Sequence, residues 1–181
     1  MTDYQFVNFY KKLRITIVII FVFLISAISA KGQITTWKLE LKRGANVDFI
    51  FNRYDLIKNG ITLEFLTEIN IICAGNPSIP PPEWELTVEA LENELLGFDI
   101  TNKIELDKIK LNVYVDDVLS VESPVTLDRI AQVIASKELT TFGANQLNKI
   151  KISYFIEAGA LKNKFDDFYR VNLRFFVAPK P

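Results

Sequence analysis

The carboxylates Glu83, Glu85 and Glu89 come closest in this sequence to a set that could do chemistry, because paired carboxylates can act as acid and base in glycoside hydrolysis. Their spacing works against that role. In Glu83-Trp-Glu-Leu-Thr-Val-Glu89 the acids alternate with Trp84, Leu86 and Val88, so in an extended strand they share the face opposite the apolar one. A catalytic acid needs burial to raise its pKa, and a wet face does not supply it. Asp116-Asp117 and Asp166-Asp167 offer oxygen ligands of the kind calcium takes, but neither pair sits in a spaced D-x-D-x-D-G loop, and Asp pairs are common in turns. The sequence has no histidine, so the usual general base, the usual zinc ligand and the Ser-His and Cys-His pairs are all absent. It also has no Gly-rich phosphate loop and no G-x-S-x-G elbow. No catalytic, cofactor-binding or metal residue is assigned. The single cysteine, Cys73, lies in the apolar run Ile-Asn-Ile-Ile-Cys and reads as a buried small residue.

The elements that would carry any binding surface are strands. Apolar residues recur at every second position in six places: Trp37, Leu39 and Leu41; Val47, Phe49 and Phe51; Trp84, Leu86, Val88 and Ala90; Leu111, Val113 and Val115; Ile150, Ile152, Tyr154 and Ile156; and Val171, Leu173, Phe175 and Val177. Lys58-Asn59-Gly60, between Tyr54–Ile57 and Ile61–Glu64, predicts a hairpin turn, because Asn-Gly accepts positive φ. A further strand is expected over Glu68–Ala74. Leu127, Ile130, Ala131 and Ile134 follow helical spacing after Pro124, which predicts one short helix within 126–137. Pro77-Ser-Ile-Pro-Pro-Pro82 reads as a stiff passage from one sheet to the other. The expected fold is all-β, an antiparallel β-sandwich, with an immunoglobulin-like Greek key first and a jelly roll as its rival.

Ahead of the strands, Lys11, Lys12 and Arg14 precede an uncharged run of fifteen residues, Ile15–Ser29, and then the small residues Ala30 and Gly32. That is the layout of a secretory signal peptide, and the run is shorter than the roughly 20 residues a membrane span needs. The expected organisation is a signal peptide over 1–32 and one β-sandwich domain over 33–181. Cleavage after Gly32 puts small residues at −3 and −1, and cleavage after Ala30 is the alternative. The expected location is the periplasm, the outer surface or the medium, with membrane contact only through the leader.

The chain holds 21 basic and 22 acidic residues. Removing 1–32 takes away Lys11, Lys12, Arg14, Lys31 and Asp3, leaving 17 cations against 21 anions, a net charge of −4. That balance argues against nucleic acid as a partner and against electrostatic docking on anionic lipid.

Aromatics make up 12% of the chain. Trp37 and Trp84 fall on inward faces and read as core. Ile50, Phe155 and Phe176 fall on faces expected to be polar, so they are the candidate partner contacts, unless their strands are covered on both sides.

The C-terminal stretch runs from Lys149-Ile-Lys-Ile-Ser-Tyr154-Phe-Ile through a loop at Lys162-Asn-Lys164 to Phe168-Tyr169-Arg-Val-Asn-Leu-Arg-Phe-Phe-Val177. It resembles the closing strands of secreted pilin-type subunits, the chaperone–usher pilins and spore-coat-U-like proteins, with Tyr169 in the place of their common strand-opening tyrosine. The resemblance implies a structural or adhesive surface subunit that self-assembles or binds a protein. It also implies a groove filled by a neighbour's strand, with Gln33–Leu41 (Ile34, Trp37, Leu39, Leu41) as the donor segment. The alternative function is an envelope module that recognises a glycan or a partner protein.

Overall fold

The computed structural model describes residues 36–44, 46–51, 54–74, 83–137, 146–159, 161 and 167–180. The expected leader, Ile34 and Asp166 lie outside the described residues. Thr35–Pro181 forms one compact unit. In chain order its strands are β1 (Thr36–Arg43), β2 (Asn46–Phe51), β3 (Ile61–Ala74), β4 (Trp84–Ala90), β5 (Glu94–Gly97), β6 (Lys103–Glu105), β7 (Ile109–Val115), β8 (Val118–Leu119), β9 (Val125–Thr126), β10 (Gln132–Lys137), β11 (Gln146–Ile156) and β12 (Asp167–Pro179). One short helix, α1 (Tyr54–Asn59), and one 3₁₀ turn, Leu106–Lys108, interrupt them.

These strands make two antiparallel sheets, the all-β sandwich that the alternation predicts. The first runs β1-β3-β11-β7-β8, with β9 also on β7. The second runs β10-β4-β12-β5-β6, with β2 also on β12. β4 and β5 lie in sequence along the same side of β12. Between them Leu91 N–H donates to the Asn172 carbonyl, and the Glu92 carboxylate accepts from Asn172 N–H at 2.9 Å. The passage from β3 in the first sheet to β4 in the second agrees with the expected crossing, although the proline segment itself lies outside the described residues.

The core follows the period-two pattern. Val47, Phe49, Phe51, Trp84, Leu86, Val88, Leu111, Val113, Ile150, Ile152, Tyr154 and Val171 are buried between the sheets. Cys73 is buried too, and desolvation pushes its thiol above the ordinary value. Two hydroxyls are satisfied within this core. Tyr154 Oη lies 2.7 Å from Thr67 Oγ1, and Thr67 donates to the Gly44 carbonyl at 2.8 Å. The single Thr67 proton is used on Gly44, so Tyr154 is the donor in the first bond.

Gly44 joins β1 in the first sheet to β2 in the second. Its φ is +75°, and a Cβ there would fall 2.4 Å from the Leu66 carbonyl oxygen and 2.8 Å from Thr67 Cα. Only glycine allows the chain to turn left-handed while passing this close to β3.

Two sequence expectations are corrected. No helix forms over 126–137. The described chain there is β9, a loop and β10, which pairs with β4 from Gln132↔Val88 to Lys137↔Trp84. Leu127 and Ile134 are buried while Ile130 is exposed, so the helical spacing does not mark one buried stripe. The open side of β4 recruits this segment as a strand instead. The expected hairpin over 54–64 is also absent. Tyr54–Asn59 is helical, and Gly60, at φ +80°, ends the helix and starts the fourteen-residue β3.

Candidate interaction surface

Among the described residues the second sheet leaves half of one strand without a paired neighbour on one side. β12 pairs with β4 from Leu173↔Ala90 to Pro179↔Trp84 on one side. On the other side β2 covers it only from Asp167↔Phe51 to Asn172↔Asn46. The reason is Gly44: read backward from Asn46, the chain turns away there and becomes β1 in the first sheet.

The backbone direction follows from two bonds. Asn172 and Phe168 turn their carbonyls toward the β4–β5 side, accepting from Leu91 and Phe98. Alternation therefore turns the N–H and C=O groups of Leu173, Phe175 and Val177 to the opposite side. Among the described residues no strand pairs with them there. Their side chains point inward: Leu173 is buried, and Phe175 and Val177 are half-buried against the core, as are Trp37 and Leu39 of β1. This combination of free ladder groups and partly covered apolar side chains is what an added strand completes.

The outer face of the same sheet carries Phe168, Arg170, Asn172, Arg174 and Phe176 from β12. The Arg170 guanidinium lies 5.5 Å from the Phe168 ring centroid and grips Asp48 with Nε–Oδ1 2.7 Å. The Arg174 guanidinium lies 5.9 Å from the Phe176 centroid and 3.1 Å from the Glu89 carboxylate. At the β2 end Ile50 pairs with Phe168, and the Phe98 N–H donates to the Phe168 carbonyl. Phe98 is 89% exposed and Ile100 75%.

The loop that holds Phe98 and Ile100 out is clamped by Asp167. Its carboxylate accepts from the N–H groups of Phe98 and Asp99 at 3.2 Å and from Asn102 Nδ2 at 2.9 Å. A Cβ at Gly97 would sit 2.4 Å from Asp167 Oδ2, so the close approach depends on that glycine. The Asn102 hydrogen bond, helped by the backbone donors, holds the Asp167 carboxyl below its ordinary value.

A group with a depressed folded-state pKa contributes above its unfolded value, about 3.9 for Asp, and the contribution is lost as pH falls through the folded value. The Asp99 amide is therefore expected to be protected from hydrogen exchange at neutral pH and released below about pH 4, while the Phe98 amide keeps its bond to the Phe168 carbonyl. Asp167→Ala should release the Asp99 amide at pH 7. Unchanged protection in that variant would contradict the clamp.

The expected contact residues are not brought together. Ile50 and Phe176 are about half exposed on the outer face of the second sheet. They lie eight β12 positions apart, roughly 26 Å, since Ile50 pairs at Phe168. Phe155 is half-buried on the first sheet, between Thr62 and Lys110. Of the expected donor residues, Trp37, Leu39 and Leu41 pair within their own sheet, opposite Cys73, Ile71 and Ile69. Trp84 is fully buried and Trp37 half-buried.

Glu83, Glu85 and Glu89 are half-buried, with Glu89 held by Arg174 and Glu83 by Lys180. Asp116 and Asp117 form the β7–β8 turn with φ of 50° and 68°, and they are ion-paired to Lys137 and Lys151. A cleft of about 400 Å³ is lined by Glu105, Asp107, Asp128 and Arg129, and all three of its carboxylate residues are exposed. No carboxylate is buried among the described residues. Sequence reasoning missed Phe98, Ile100 and the arginines of β12. Gly97-Phe-Asp-Ile-Thr-Asn102, two large apolar residues inside turn-forming ones, was the available signal.

No family model and no curated protein matches the chain. Among solved structures it is similar to one described as TmCBM61 in complex with beta-1,4-galactotriose, at 9% identity over 80% of this chain and 88% of that one, with a TM-score of 0.18. A likeness of that size bears on neither fold nor ligand.

Proposed function

We propose that this protein is an exported, non-enzymatic surface subunit that assembles by completing its second sheet with a strand from a partner. The side of β12 from Leu173 to Val177 that no described strand pairs with is the observation that carries this reading. The leader-like segment supports export. The absence of histidine from the sequence and of buried carboxylates among the described residues supports a role without catalysis. The resemblance of 149–177 to pilin-type closing strands points the same way.

The acceptor half of strand exchange has the stronger support. The expected donor strand is occupied in its own sheet and would first have to leave β3. The alternative, glycan recognition, would have to stack sugars on Phe98 or Phe176, since neither tryptophan is free to serve as a platform.

Val177→Pro tests the reading. It removes an N–H that faces the open side and so spares the β12–β4 ladder. High-molecular-weight complexes isolated from the producing cells are expected to disappear, while the amount of folded protein stays the same. Complexes that persist in the variant would overturn the proposal.

A further inference from the structure

Two polar side chains inside the sandwich have no hydrogen-bond partner among the described residues. They are the Trp84 indole, at Nε1, and the Asn148 amide, at both Oδ1 and Nδ2. Both residues are fully buried. A polar group taken out of water and left unpaired is costly, so buried groups of this kind bond either to protein or to an internal water. We infer that Trp84 and Asn148 hold a buried water between them, bonded to one sheet through the indole and to the other through the amide.

The fold brings the two residues to the same end of the interior. Trp84 opens β4, and Lys137, the last residue of β10, pairs with it. Asn148 lies near the start of β11, opposite Ile71 of β3. Two contacts tie those places together. The Lys137 ammonium reaches from the second sheet to the Asp116 carboxylate at the β7–β8 turn of the first, 2.5 Å away. The same carboxylate accepts from the Lys149 N–H at 2.9 Å, and the Asp116 N–H donates to the Lys149 carbonyl at 2.8 Å. Lys149 is exposed, so by alternation its buried neighbour Asn148 points inward, as Ile150 does. Trp84 and Asn148 therefore enter the interior from facing sheets, at the end where the Lys137–Asp116 ion pair joins them.

The chemistry of the two groups names the class of ligand. An indole nitrogen only donates, whereas an amide offers one accepting oxygen and two N–H donors. A molecule shared by them must accept from Trp84 Nε1–H and be able to donate to Asn148 Oδ1. Water does both, and it is the usual partner of buried polar groups closed to solvent. An ion suits the pair poorly. A cation would find one neutral oxygen, and an anion would find no free positive charge, because Lys137 is already matched to Asp116.

Water–protein NOE spectroscopy on the purified, isotope-labelled protein tests the inference. The chain has two tryptophans, so Trp37→Phe, at a half-buried position, leaves the Trp84 indole signal alone for assignment. Cross-peaks to a long-lived water are expected at both Trp84 Nε1–H and the Asn148 side-chain amide. Asn148→Leu keeps the bulk of the side chain without its polar atoms, and it should abolish the cross-peak at Trp84.

A cross-peak at only one of the two groups, or at neither, overturns the inference. So does a Trp84 cross-peak that survives Asn148→Leu, since the water would then be held without the amide. If the leucine variant does not fold, the parent spectrum decides alone: cross-peaks at both groups support the shared water, and any other pattern contradicts it.

Discussion

Gly44→Ala is expected to destabilise the domain by about 2 to 5 kcal/mol, read as a lower midpoint in denaturant unfolding with an unchanged slope. Two costs add. An alanine held at φ +75° loses about 1–2 kcal/mol relative to its preferred backbone. Its Cβ also has no room: the atoms within 2.8 Å are the Leu66 carbonyl oxygen, Thr67 Oγ1 and Thr67 Cα, and two of those three belong to the backbone of an interior strand. Relieving that overlap costs about 1–3 kcal/mol. Any outward shift of residue 44 also carries away the carbonyl that accepts the Thr67 hydroxyl. The glycine is where the chain leaves one sheet for the other, so it also determines that β12 is left half uncovered. A loss below about 1 kcal/mol would mean that the crossing tolerates a side chain.

Thr67→Val should cost about 2–3 kcal/mol, and Tyr154→Phe only about 1, although tyrosine is the larger side chain. Both residues are fully buried. Removing the threonine hydroxyl strands the Tyr154 proton in the core and leaves the Gly44 carbonyl without its donor. Removing the tyrosine hydroxyl leaves Thr67 still bonded to Gly44. The asymmetry follows from the direction of the chain, Tyr154 to Thr67 to Gly44, and not from the number of bonds lost. Burial raises the Tyr154 pKa well above its ordinary value, so the phenol stays protonated as a donor through neutral pH. Equal losses in denaturant titrations of the two variants, or the reverse order, would contradict this chain.

The sequence disclosed the strands whose two faces differ. Trp84-Glu-Leu-Thr-Val-Glu-Ala90 and Ile150 to Ile156 bury one face each, and their alternation is plain. α1 escaped because six residues are less than two turns, too few for a period, and Asn59-Gly60 serves a helix end as readily as a hairpin. β10 was mistaken because Leu127, Ile130, Ala131 and Ile134 match helical spacing by coincidence, whereas the demand for a strand beside β4 comes from across the fold.

The open edge could not be read from sequence at all. Leu173 to Val177 alternates like any other strand, and only the strand pairing in the fold reveals that β2 stops at Asn46. Ile50 and Phe176 do face outward, but what surrounds them, and the separate place of Phe155, depends on strand order.

Amide hydrogen exchange along β12, measured on protein dilute enough to be monomeric, tests the open edge most directly. The amides of Arg174 and Phe176, bonded toward β4, should be protected, while those of Leu173, Phe175 and Val177 exchange freely, giving a period-two pattern that stops at Asn172. Equal protection of both sets in the monomer would mean that the edge is already filled, and the proposed mode of assembly would be lost.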